Sequence, residues 1–205
     1  MGRGIARRGA FTAMIIGCTL QIASADLICG WNFNALDEGV TGIASDHGSG
    51  LLDISELQAS VTLYDGTTMG ALKDDSAGTA LGIRGLSANE RWVELAFAAE
   101  GPVELAFSFR ATPSGFDENQ IQMMVDANWV SLASFGGAKA DGAWHEQTLV
   151  LPDQSGPMRV RLYVDGAESA SGTIRFDNLK VTAVSAPGAL LACGTGCMVL
   201  RQRRQ

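Results

Sequence analysis

The chain has 205 residues, 46% hydrophobic and 18% charged, with 15 basic against 22 acidic side chains. Every acidic residue lies between positions 26 and 184, where only 9 basic residues remain, so this middle part carries a net charge of −13. Such a surface repels phosphate backbones and excludes nucleic acid as a partner.

The first 25 residues have the three-part build of a secretory signal: Arg3, Arg7 and Arg8, then the uncharged run GAFTAMIIGCTLQI, then Ala23-Ser24-Ala25. The apolar run is shorter than the about 20 residues of a membrane-spanning helix. Ala23 and Ala25 are the small side chains that a signal peptidase accepts, so the mature chain is expected to begin at Asp26. Two variants stay open. Arg7-Arg8 could mark a twin-arginine route, and Ile15-Ile16-Gly17-Cys18 could place a lipid on Cys18.

Residues 26–184 are expected to form one domain with its own core. Cys29-Gly-Trp-Asn-Phe-Asn34 supplies an early strand, and Asp46-His47-Gly48-Ser49-Gly50 reads as a turn. From position 93 the dominant period is two. Val93, Leu95 and Phe97 alternate with polar or small residues, as do Val103, Leu105, Phe107 and Phe109. The turn residues 99–102 between them predict a hairpin. Ile121 to Val125, Trp129 to Phe135, His145 to Leu151 and Met158 to Val164 continue the pattern, each bounded by turn residues. In the last strand Ile174 and Phe176 are apolar on even positions, whereas Leu179 and Val181 are apolar on odd ones. A β-bulge at Asp177-Asn178 accounts for the change of phase. No helical stripe interrupts these runs. Eight or so one-faced strands must bury their faces on one another, which predicts an all-β fold: a single antiparallel β-sandwich of jelly-roll type. Trp31 and Trp92 are assigned to its core.

The domain retains Cys29 alone and forms no internal disulfide, because Cys18, Cys193 and Cys197 fall in the apolar ends. No nucleophile elbow, His-Glu-x-x-His or phosphate loop is present. His47 and His145 are the only histidines and lie far apart in sequence. The reading is therefore non-catalytic, with a small glycan-active enzyme built on a carboxylate pair as the remote alternative.

The tail, 185–205, contains Pro187, then the uncharged Ala189 to Leu200, then Arg201, Arg203 and Arg204. As a helix the apolar part is about 20 Å long, short against a ~30 Å hydrocarbon core. With Val184 and Pro187 matching the usual Val-Pro-Glu-Pro, and Ser185 and Ala186 replacing its first Pro and the Glu, this order resembles the PEP-CTERM sorting signal. That resemblance implies a Gram-negative bacterium, transient anchoring in the inner membrane, processing by an exosortase-type enzyme, and final residence at the cell surface or outside the cell. An ordinary C-terminal anchor stays open.

The pairing of Trp-Asn-Phe-Asn (31–34) with Ile-Arg-Phe-Asp-Asn-Leu-Lys-Val (174–181) is similar to the jelly-roll domains of PEP-CTERM surface proteins and, more distantly, to carbohydrate-binding modules. The resemblance implies a structural calcium held by Asp177 with Asn34, Asp37 being the nearest early carboxylate. It also implies sugar stacking on exposed aromatics, for which Trp129 and Trp144 are the candidates. Two functions follow: a matrix protein associated with exopolysaccharide, or a glycan-binding module with a structural calcium.

Overall fold

The computed structural model describes residues 26–37, 39–72 and 75–184. The signal with Cys18, Ala23 and Ala25, and the tail with Pro187, Arg201, Arg203 and Arg204, lie outside the described residues, as do the two terminal helices expected there. Val184 is described; its N–H donates to Pro102 O at 2.9 Å.

Thirteen strand segments form two antiparallel sheets that pack face to face. One has six strands: β2 (Gly42–Ala44), β4 (Gly50–Asp53), β7 (Arg91–Ala99), β9 (Glu118–Val125), β10 (Asn128–Gly136) and β12 (Gly156–Val164), in the order β10-β9-β12-β7-β4-β2. The other has seven: β1 (Leu27–Trp31), β3 (His47–Gly48), β5 (Val61–Asp65), β6 (Thr79–Arg84), β8 (Val103–Ala111), β11 (His145–Val150) and β13 (Thr173–Ala183). The only helical segments among the described residues are short 3-10 turns. The β-sandwich expected from the period-two pattern is thus the architecture found. All thirteen apolar side chains that alternate through 93–97, 103–109, 160–162 and 174–181 are buried. The core between the sheets centres on Phe107, Phe109, Phe135 and Phe176, whose rings meet at tilted and edge-on angles 5.2–6.2 Å apart. Trp31 joins this core, and its Nε1–H donates to Ile43 O at 3.0 Å.

One expectation needs correction. β7 and β8 are not a hairpin: β7 pairs with β12 and β4, β8 with β11 and β13, so residues 100–102 carry the chain from one sheet to the other. Alternation and turn residues are the same for a hairpin and for an arch between sheets. The choice depends on which partners bury the two apolar faces. A true two-residue hairpin joins β9 to β10, where Asp126 (φ 48°) and Ala127 (φ 62°) both take the left-handed conformation that matches strand twist. Residues 46–50, expected as a turn, contain instead the two-residue β3, in which His47 and Gly48 pair with Gly30 and Cys29.

The bulge in the last strand is present. Asp177 pairs with Ser108 and Lys180 with Ala106, one extra residue on β13, with Asn178 at φ 50°. The extra residue sits where β13 changes partner. Thr173 to Phe176 pair with β6, and Leu179 to Thr182 pair with β1, while β8 follows the other side throughout.

Candidate functional site

The two outer faces of the sandwich carry the polar side chains, and they differ. On the seven-stranded sheet, the segment between β5 and β6 crosses the outer face and is tied to the strands beneath it. Asp177 Oδ2 accepts from the Thr67 N–H at 2.6 Å, and Asn178 Nδ2 donates to Thr67 O at 2.7 Å and Met69 O at 2.9 Å. Ser108 Oγ donates to the same Met69 O at 2.7 Å, and Lys180 Nζ to Gly70 O at 2.7 Å. At the far end Asn34 Nδ2 donates to Ser76 O at 3.3 Å, and Asn34 Oδ1 accepts from the Thr79 N–H at 2.9 Å. His47 Nε2 stands 3.3 Å from Asp75 Oδ2. Close approach explains Gly66 in this strap: a Cβ there would lie 2.1 Å from Ala77 O and 2.5 Å from Asp177 Oδ2.

Asp177 and Asn34, nominated together from the sequence, therefore grip opposite ends of one strap. Asp177 is fully buried (0% exposed), and its pKa is pushed up to about 6 by desolvation, against the pull of the Thr67 and Asn178 amides. The negative charge of Asp75 adds to the rise. A buried carboxylate with another carboxylate as its charged neighbour is the kind of group that a cation relieves. Three or more His, Cys, Asp or Glu side chains do not converge anywhere among the described residues. Calcium at this point would draw on Asp177 and the Ala77 carbonyl, both beside Gly66, whereas Asn34 Oδ1 lies beside Gly78 and already accepts from the Thr79 N–H.

The outer face of the six-stranded sheet is open. Strand alternation puts Val93, Leu95, Met158, Val160, Leu162, Ile121 and Met123 into the core and leaves Trp92, Glu94, Arg159, Arg161, Tyr163, Gln120, Gln122 and Trp129 on the outside. Register aligns them into rows: Gln122, Arg161 and Glu94 lie side by side across β9, β12 and β7, and Gln120, Tyr163 and Trp92 form the next row. The guanidinium of Arg161 stands 3.6 Å from the Trp129 ring centre and 4.0 Å from that of Trp92. Glu94 fixes it from one side, accepting from Arg161 Nε at 3.2 Å and from Arg159 Nε at 2.6 Å. Arg161 and Glu94 are only 16% and 13% exposed, so the pair is held largely out of water and keeps the aromatic cluster rigid. Trp92 is thus half-buried on the outer face, not in the core. The pattern itself carried the sign: position 92 shares the even, polar phase of Glu94.

Trp144 lies elsewhere. It precedes edge strand β11 of the seven-stranded sheet, next to the exposed His145–Asp141 contact of 2.9 Å, a hydrogen bond that leads in holding the Asp141 carboxyl below its ordinary range. The two tryptophans proposed as sugar platforms therefore belong to different sheets and do not form one site. Cys29 is buried, with its thiol pushed up to about 12 by desolvation, which leaves it inert. A cleft of about 470 Å³ opens between Leu36, Asp37, Gly39, Val40, Ile54 and the edge strand β5, away from both tryptophans; among the described residues Asp37 is its one charged lining side chain.

No family model matches the chain, and no curated protein matches it. Solved structures similar to it include the CBM22-1–GH10 modules of Clostridium thermocellum xylanase 10B complexed with xylohexaose (TM-score 0.47, 9% identity, 78% of this chain and 29% of that one). The CBM22-1–CBM22-2 tandem of Paenibacillus barcinonensis Xyn10C is similar at TM-score 0.46 and 13% identity over 85% of this chain and 50% of that one. The K3 cleaved adhesin domain of Lys-gingipain from Porphyromonas gingivalis follows at 0.45 and 12%, over 78% and 100%. The chain thus spans less than a third of the first of these proteins and half of the second. At such identities and TM-scores the likenesses carry no argument about ligand or activity.

Proposed function

We propose that this chain is an exported, non-catalytic protein of the cell surface or extracellular matrix whose β-sandwich binds glycan on the outer face of its six-stranded sheet. The observation that carries the reading is the Arg161 guanidinium stacked between Trp129 and Trp92 and locked by Glu94. Flat apolar rings interleaved with planar hydrogen-bonding groups (Gln120, Gln122, Arg159, Arg161) match a sugar ring, which offers C–H faces and equatorial hydroxyls together. Strands that alternate between the sheets from β7 to β9 and from β11 to β13 suit a jelly roll. Export, cleavage after Ala25 by signal peptidase, transient inner-membrane anchoring and exosortase-type processing near Pro187 belong to the same proposal and rest on the sequence of the two ends. So does the matrix setting, with exopolysaccharide as the natural ligand.

A glycan array probed with the full-length protein tests the ligand. Binding to neutral polysaccharide that Trp129→Ala and Arg161→Ala each reduce at least tenfold is expected; an array without signal overturns it. Mass spectrometry of envelope material tests the address, since an intact N-terminus contradicts export and a retained Arg204 contradicts processing of the tail.

The buried charge of Asp177 favours a structural calcium as a second element. An ion that binds only the native state adds about 2.7 kcal/mol at a hundredfold excess over its Kd. Millimolar calcium should therefore raise Tm, a chelator should lower it, and Asp177→Ala should abolish the difference. Identical melting of wild-type protein with calcium and with chelator decides against the ion.

A further inference from the structure

The seven-stranded sheet is not covered along its whole length. Beyond the strap its outer face carries Arg110 on β8 and Arg175 on β13, which are direct cross-strand partners. Their neighbours on the strands, Phe109 and Phe176, point into the core, so both arginines point outward. Directly opposed side chains have Cβ atoms about 4.5–5.5 Å apart, and like charges so placed repel. Three other arginines of the domain are neutralised, Arg91 by Glu56 and Arg159 and Arg161 by Glu94, while Arg84 donates to Ala170 O at 3.2 Å. Neither Arg110 nor Arg175 has an ion pair among the described residues, although the domain holds 22 acidic side chains against 9 basic ones.

What holds Arg175 in place is an aromatic ring. Its guanidinium stands 4.0 Å from the ring centre of Tyr64. That ring lies over Gly82, the next residue in the same row, where a Cβ would meet the ring carbons at 2.2 and 2.4 Å. Glycine at 82 thus makes room for the ring that orients the arginine. Burial first, and then Arg110, hold the Arg175 pKa below its ordinary value, while Tyr64 and then Asp65 act against them. The row Arg110, Arg175, Gly82 and Thr62 runs across four strands, roughly 15 Å at the usual strand spacing. Half-buried Trp144 precedes β11 at the Arg110 end.

We propose that the Arg110–Arg175 pair is a carboxylate-binding site that takes the uronate groups of an acidic polysaccharide. A guanidinium presents two parallel N–H donors that match a carboxylate, and two such forks side by side neutralise their own repulsion by sharing one. A row of this length flanked by aromatic side chains suits a chain of sugars with a repeating charge better than a lone ion. The site lies on the face opposite Trp129 and does not depend on the glycan reading of that face.

The full-length protein is titrated with polygalacturonate, neutral galactan and poly-glutamate in parallel. Polygalacturonate is expected to bind with an affinity that falls as salt rises. Arg110→Gln and Arg175→Gln should each weaken it tenfold or more while melting no lower than wild type, because a repulsion has been removed. Arg175→Lys, which keeps the charge and loses the fork, should still weaken it several-fold, and Arg91→Gln, which removes an equal charge paired elsewhere with Glu56, should leave it unchanged. Absence of saturable polygalacturonate binding, or binding insensitive to both glutamine variants, overturns the proposal. So does poly-glutamate binding as tightly through the same arginines, since charge alone would then suffice and the sugar would play no part. Loss of galactan binding alone, on Trp129→Ala, concerns the opposite face and leaves this site standing.

Discussion

The two outer faces of the sandwich are made from strands with the same alternation, yet one is largely sealed and the other is open. On the seven-stranded sheet Ser108 and Asp177 are fully buried although they point away from the core, because the strap bonds over them through Thr67 and Met69. On the six-stranded sheet the equivalent outward positions, Glu94 and Arg161, keep 13–16% exposure and satisfy one another. The difference teaches where polar side chains are spent. Under the strap they bond backbone groups that would otherwise lack water. On the open face they hold the half-buried rings of Trp92 and Trp129 against the Arg161 guanidinium.

Substitutions should separate the two regimes, with the shared core setting the upper scale. Phe107 of the seven-stranded sheet packs edge-on against Phe176 of the same sheet and Phe135 of the other, and Phe107→Ala should cost about 3–5 kcal/mol in urea unfolding. A much smaller loss would mean that the sheets do not share one core.

Next comes the pH dependence of the sealed face. The native pKa of Asp177, about 6, lies above the ordinary 3.8, so the native state favours the protonated form. Its contribution to stability is fully present below about pH 4 and is lost as pH rises through 6. Between pH 4 and 7, without calcium, wild type should lose about 2 kcal/mol relative to Asp177→Asn. Parallel stability profiles for the two proteins would show that Asp177 is not desolvated under the strap.

Asn178→Ala should cost about 2 kcal/mol, because it removes the amide that donates to Thr67 O and Met69 O and puts alanine at φ 50°. Asn178→Gly removes the same bonds without the backbone strain and should fall between alanine and wild type. Hydrogen exchange should then quicken in residues 66–72 and not on β10. Exchange that quickens uniformly would mean that the strap is no separate unit.

The smallest effect on stability belongs to the open face. Trp129→Ala removes one of the two rings stacked on Arg161 and should change unfolding free energy by less than about 1 kcal/mol. A loss as large as that at Phe107 would place Trp129 in the core and remove the reason to treat this face as a binding surface.

Local chemistry alone determined much of this protein. Period two fixed which side of each strand is apolar, and the change of phase at Asp177-Asn178 located the bulge, because one inserted residue reverses every side chain beyond it. The same alternation had already placed Trp92 in phase with Glu94, although its size argued for the core. Strand pairing was not legible, since a short turn joins strands equally well within a sheet or between sheets, and β7 and β8 took the second course. Nor could sequence distance show that Thr67, 110 residues before Asp177, would close over it, or that Arg161 would enter between Trp129 and Trp92. Those contacts depend on register across several strands and on a crossing segment without periodicity, and only the packing of the whole domain decides them.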